Sequence, residues 1–184
     1  MDALEGDFWT RINDPAVICL DEERADRIVW KLQADKISGA VRVIRGKKCG
    51  SKAALLDEVG AALQFPPYFG ENWDALDECI TDLDDWMPAD WYLLHVRQIE
   101  RVLRDDDRNF AIFIELLWLA CKAWADPRLR SYHWEKARLP TAFNVLISGT
   151  AEGRRRAKAV LDRLEATSGK HETPAKDKPS AAER

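Results

Sequence analysis

Between Pro66 and Val96 the chain contains no lysine and no arginine, although it carries 28 of them among its 184 residues. Other absences narrow what the protein can be. No apolar run approaches the roughly 18 to 20 residues that span a bilayer, so no membrane helix is expected. The N-terminus, "MDALEGDFWTRINDP", is acidic and has no basic region followed by an apolar stretch, so no secretory signal is read there. Cys19, Cys49, Cys79 and Cys121 are widely dispersed, with no CxxC and no histidine at zinc-finger spacing. They read as reduced thiols of a cytoplasmic protein. His95, His133 and His171 have no ligand partners at useful spacing, and "DLDDW" is not followed by the D-x-[DN]-x-[DN]-G of a calcium loop. No cofactor and no metal are therefore expected, and no internal repeat is present.

What remains is rich in core-forming residues. Hydrophobic residues make up 46% of the chain, eight of them tryptophan. That composition suits one domain with appendages. The net charge of −4 is unevenly spread: from Ala151 onward nine bases face six acids, which leaves residues 1–150 at −7. An acidic body repels nucleic acid and attracts basic surfaces. Direct nucleic-acid binding is not expected, and "GRRRAK" reads as an exposed basic helix end.

Short apolar runs alternate with helical patterns. "AVICL" (16–20), "GAVRVI" (39–44), "WYLLHV" (91–96) and "TAFNVLIS" (141–148) read as strands. Ala25, Ile28, Val29 and Leu32 share one helical face, and Ser51 is a candidate N-cap for a helix through "KAALLDEVGAAL". Pro66 and Pro67 force an extended connection, after which Asn72 can cap an acidic helix. "RQIERVL" reads as a short helix and "NFAIFIELLWLACKAWA" as a buried one, ended by Asp126-Pro127. Trp118, Trp124 and Trp134 are assigned mainly to the core. A charged helix is expected from Ala151 to about Ala166, before a tail with a disordered composition. The pattern predicts an α/β fold: a small, mostly parallel sheet of three core strands, with a possible fourth from the N-terminal extension, packed with about four or more helices. Residues 1–39 are expected as a strand-plus-helix extension packed on the core, 40–149 as the main domain, and 150–184 as charged helix and tail.

The segment without bases is strongly acidic. "PYFGENWDALDECITDLDDW" (67–86) holds seven carboxylates. On a helical wheel Glu71, Asp74, Asp77, Glu78, Thr81, Asp82 and Asp85 fall within an arc of about 140°. Trp73, Leu76, Ile80 and Leu83 lie opposite, so one face is core and the other a carboxylate stripe. Glu71 and Asp74 sit where the helix dipole favours anions, whereas Asp82, Asp84 and Asp85 sit where it opposes them. Asp74–Glu78 and Glu78–Asp82 are like-charge pairs at i,i+4, each costing on the order of 0.2–0.5 kcal/mol. Helix stability does not explain the pattern. A one-signed field flanked by Tyr68 and Phe69 suits the capture of a basic protein. Acid–base catalysis by paired carboxylates would instead need a cleft, and this stripe is expected to be convex.

"PPYFGENWDALDECIT" resembles the signature of the barstar family, intracellular inhibitors of secreted bacterial ribonucleases such as barnase. "VRVIRGKKCGSKAALLDEVGAALQF" is similar to that family's first strand and helix, "WMPADWYLLHVRQIE" to its second strand, and "FNVLIS" to its last. The resemblance implies that acids of the helix enter a ribonuclease's basic active site in place of RNA phosphates. It places Tyr68, Gly70, Asn72, Asp74, Asp77, Glu78, Thr81 and Asp82 on the partner-binding surface, with Glu78 where the family has its most important aspartate. Asp77 replaces an interfacial tryptophan, and Leu83 falls near another. An acid of the family's penultimate helix would land at about Trp118 or Leu119, one turn beyond Glu115. The implied partner is a basic ribonuclease or nuclease toxin other than barnase, bound by a cytoplasmic, monomeric, non-enzymatic protein. A regulatory module of the same fold, recognising another basic protein, is the alternative.

Overall fold

The computed structural model describes residues 6–12, 17–34, 38–127 and 137–168. Four strands form one sheet: β1 (Val17–Leu20), β2 (Ala40–Arg45), β3 (Trp91–Arg97) and β4 (Ala142–Ser148). Their order is β1-β4-β3-β2 and every pairing is parallel. Five α-helices accompany them among the described residues: α1 (Glu22–Ala34), α2 (Lys52–Leu63), α3 (Trp73–Thr81), α4 (Asp107–Ala125) and α5 (Ala151–Ser168). This is the expected α/β fold, with the fourth strand supplied by the N-terminal region.

Parallel strands covered on both faces read as continuous apolar runs, and the two central strands do. All of β4, and β3 from Trp91 to Val96, is buried. Successive side chains alternate between the sheet's faces. Tyr92, Leu94, Val96, Phe143, Val145 and Ile147 enter the main core with α2, α3, α4 and α5. Trp91, Leu93, Ala142 and Leu146 enter a second cluster on the other face. Ala25, Val29 and Leu32 of α1 cover that face, together with Trp9 from the 3-10 turn at Gly6–Thr10.

Local chemistry sets the helix starts. The Ser51 side chain accepts from the Ala54 amide, and Asp106 accepts from Asn109 ahead of α4. Gln64 closes α2 in the left-handed conformation just before the two prolines. The short helix read over "RQIERVL" is a single 3-10 turn, Ile99–Arg101, because Gln98 enters it at a left-handed φ of 53°. No helix of the described residues is long and apolar enough to cross a membrane. Trp134, His133, His171 and the tail fall outside the described residues.

Candidate functional site

A short run of backbone fixes the start of the acidic helix. After Pro66 the Phe69 amide returns to the Pro66 carbonyl at 2.9 Å. The Phe69 ring packs edge-on against Phe65 at 4.8 Å, which leaves Tyr68 outermost and 74% exposed. Asn72 then works in both directions: its Oδ1 accepts from the Ala75 amide at 2.9 Å, and its Nδ2 donates to the Gly70 carbonyl at 3.2 Å. A Cβ at residue 70 would lie 3.1 Å from that Nδ2, so glycine admits the capping amide. Between them Glu71 sits at φ 47°, in the left-handed region that few non-glycine residues adopt.

Leu76, Cys79 and Ile80 bury one side of α3. Trp73 adds a tether, its Nε1 donating to Asn109 Oδ1 on α4 at 3.0 Å. The opposite side carries Asp74, Asp77 and Glu78, all exposed, with exposed Glu71 ahead of them and Asp85 beyond. Among the described residues none of these five carboxylates forms an ion pair. The Tyr68 hydroxyl is pushed up from its ordinary range, first by local desolvation and then by Cys79, Asp85, Glu78 and Asp82.

Two features differ from the wheel. The helix ends at Thr81: Asp82 is its C-cap, and Leu83–Asp85 form a 3-10 turn. Asp82 and Asp84 are consequently half-buried, while Leu83 is core at 0% exposure, as the wheel placed it, and not at the interfacial position that the resemblance put near it. The Thr81 hydroxyl bonds its own helix, donating toward the Asp77 and Glu78 carbonyls at 2.9 and 3.0 Å. The second difference is positive charge brought in from other elements. Lys52 lies 5.0 Å from the centre of the Trp73 ring, Lys122 lies 4.7 Å from that of Trp118, and Arg138 lies 3.6 Å from that of Trp124. Arg138 also pairs with Asp84 at 3.5 Å. No local signal in 66–96 announces them, since Arg138 reaches Thr81 across 57 residues of sequence.

Asp77 and Thr81 face α4 across an open cleft of about 470 Å³. Trp118, Leu119 and Lys122 line its other wall. Trp118 is buried and Leu119 is 39% exposed. Glu115 is exposed but does not line the cleft. Where the resemblance puts an acid on the penultimate helix, this wall carries Trp118 and Leu119, with Lys122 beside them and an acid, Asp126, only at the C-cap of α4. Among the described residues no group of three or more His, Cys, Asp or Glu side chains is arranged to hold a metal ion. The arrangement offers an exposed, negatively charged, pre-capped helix face with an aromatic beside it and an open cleft along the edge that bears Asp77 and Thr81, a geometry suited to binding.

Two solved structures share part of the outline. Cdc6p from Pyrobaculum aerophilum is 16% identical at a TM-score of 0.45, with 84% of this chain covering 45% of that one. The ORC2 protein of Aeropyrum pernix, solved in ADPNP-ADP complexes, is 10% identical at 0.47, with 85% of this chain covering 41% of that one. The chain thus spans less than half the length of either. No curated protein matches the chain. The family model described as Barstar (barnase inhibitor) matches residues 39–134, which include β2, α2, the whole Gly70-Glu71-Asn72 turn, α3, β3 and α4. With more than half of its length matched, and with the capped acidic helix inside the matched segment, the chain belongs to the barstar (barnase inhibitor) family.

Proposed function

We propose that the protein inhibits a basic ribonuclease, either a secreted enzyme or a nuclease toxin domain, by laying α3 across its active site. The observation that carries this reading is the row of exposed carboxylates that form no ion pair among the described residues, Asp74, Asp77 and Glu78 on a helix whose start is fixed by Asn72, with Glu71 ahead of it and Asp85 beyond. Their one-signed field steers a basic partner, and complementary charge raises association rates and selects the partner. In an RNase site built for phosphates, carboxylates at this spacing compete for the same arginines and lysines. Glu78 supplies the central charge, and Asp74 and Asp77 flank it. Tyr68, Gly70, Asn72, Thr81 and Asp82 complete the footprint, with Tyr68 as an exposed aromatic anchor.

Burial pushes Cys19 up to about 11 and Cys49 up to about 12, so both stay protonated and inert. In this reading the protein acts in the cytoplasm as a monomer, without a cofactor and without contacting RNA itself. The test is capture of partners from the source cell on the immobilised protein, with mass spectrometry, followed by a ribonuclease assay on what is captured. A basic ribonuclease inhibited at one-to-one stoichiometry supports the proposal. Captured partners with no nuclease activity would sink it and favour a regulatory role for the same face.

A further inference from the structure

We propose that Arg138 is a positioning residue for this binding face: a buried guanidinium that fixes the C-terminal end of α3. The proposal rests on the function proposed above for α3. Arg138 lies beyond residue 134, where the family match ends, and its side chain is 7% exposed.

Its contacts converge on two helix ends. Nη1 donates to the Thr81 carbonyl at 2.6 Å, and Nη2 donates to the Ala123 carbonyl at 3.1 Å. The same guanidinium stacks on Trp124 at 3.6 Å, and Trp124 Nε1 donates to the Ile80 carbonyl at 2.9 Å. The carbonyls of the last two residues of α3 are thus held by Arg138 and by the α4 ring beneath it. Terminal carbonyls of a helix lack partners within the helix and need donors from elsewhere. A cation there also complements the dipole, at an end where Asp82, Asp84 and Asp85 oppose it. Lysine could not do the same, because only a planar fork reaches two carbonyls while stacking flat on an indole.

The consequence for binding follows from length. α3 has nine residues, and a helix that short has no stable direction of its own in water. The aim of Asp74, Asp77 and Glu78 is set by ties at both ends: Asn72 and Trp73–Asn109 at the start, Arg138 and Trp124 at the finish. Arg138 also engages Asp84, while Asp85 beyond it stays exposed. A surface held in its bound geometry before contact spares the cost of ordering it on association.

Arg138→Lys keeps the charge and loses the fork. The test measures amide hydrogen exchange in the free full-length variant and its binding to a basic ribonuclease of the barnase type. Asp84→Asn, which leaves both carbonyl bonds in place, is the control. The expected result is exchange over residues 80–87 accelerated by roughly tenfold relative to β3 and α5. Binding should weaken by roughly tenfold, while Asp84→Asn stays within about twofold of the parent on both measurements. Uniform acceleration across the fold, or ribonuclease binding within about twofold of the parent, overturns the positioning role. If the parent does not bind this ribonuclease, it is the inhibitor reading for this probe that fails. The exchange pattern still decides the clamp, selective loosening of 80–87 supporting it and uniform loosening overturning it.

Discussion

Asn144, at the centre of β4, donates from its side-chain amide to the carbonyls of Trp9 at 2.8 Å and Arg11 at 3.1 Å. A polar group with no exposure to solvent thereby ties the last strand to a segment 135 residues earlier. Asn144→Leu removes both bonds without opening a large cavity. A loss of about 1–3 kcal/mol is expected, read as a lower thermal midpoint, with partner binding by α3 intact. An unchanged midpoint would mean that Trp9 and its neighbours are held by apolar packing alone.

Glu78→Ala should separate stability from function. The like-charge contact with Asp74 at i−4 disappears, so the free protein should be as stable as the parent or slightly more so. If Glu78 is buried against a cation of the partner, its loss costs about 3 kcal/mol of binding, roughly a hundredfold in Kd. The cost should appear mainly as faster dissociation. Asp85→Ala, beyond the helix end, should instead slow association at low salt. Binding kinetics of the two variants decide this; equal, small effects would reduce the stripe to a solvated face.

Glu71 occupies the left-handed region at φ 47°. For an L-residue with a side chain that conformation costs roughly 1–2 kcal/mol, and glycine recovers most of it while losing some chain entropy on folding. Glu71→Gly should therefore raise the thermal midpoint slightly even though an acid near the helix start is lost. It should also slow association with a basic partner. A lower midpoint would show that the charge of Glu71 outweighs its backbone strain.

His95 predicts an acid limit. Its ring is 0% exposed, Nε2 lies 2.9 Å from Ser148 Oγ, and Nδ1 has no hydrogen-bond partner among the described residues. Burial first, and Arg97 second, push its pKa down to about 4. Arg97 is itself paired with Asp26 at 2.9 Å and approached by Glu22 at 3.8 Å, both on α1. The unfolded chain takes up this proton near pH 6.5 and the folded one only near 4. Stability from this group is therefore complete above about pH 6.5, falls as the pH drops toward 4, and levels off below. The total is about 3 kcal/mol. Denaturant titrations at several pH values should show this slope in the parent and its absence in His95→Gln.

The strands were readable because each apolar run is short and closed by glycine, proline or an acid, as "AVICL" and "GAVRVI" are. Ser51 and Asn72 were readable as caps because capping is a local bond between a side chain and an amide three residues on. The end of α3 was not. Leu83 keeps the helical phase and is buried, so periodicity alone runs the helix through to Asp85, although its hydrogen-bonded turns stop at Thr81. The cations around the stripe were equally hidden, because Lys52, Lys122 and Arg138 are placed by packing against tryptophans and by no pattern within 66–96. The resemblance located the acids. Only the fold could show which of them have company.

The strand order gives the chain a history during synthesis. β1 is made first but sits against β4, with Val17 opposite Val145. At ribosomal speeds of roughly 5–20 residues per second, β1 waits on the order of ten seconds for its neighbour. β2, α2, α3, β3 and α4 precede β4 in the chain, so the acid-bearing layer can begin to assemble while the edge of β3 that will pair with β4 is still open. A nascent chain at that stage exposes an unpaired strand edge, which invites aggregation or a chaperone. The binding surface can therefore take shape early, while protection from misassembly comes only when the last strand leaves the ribosome.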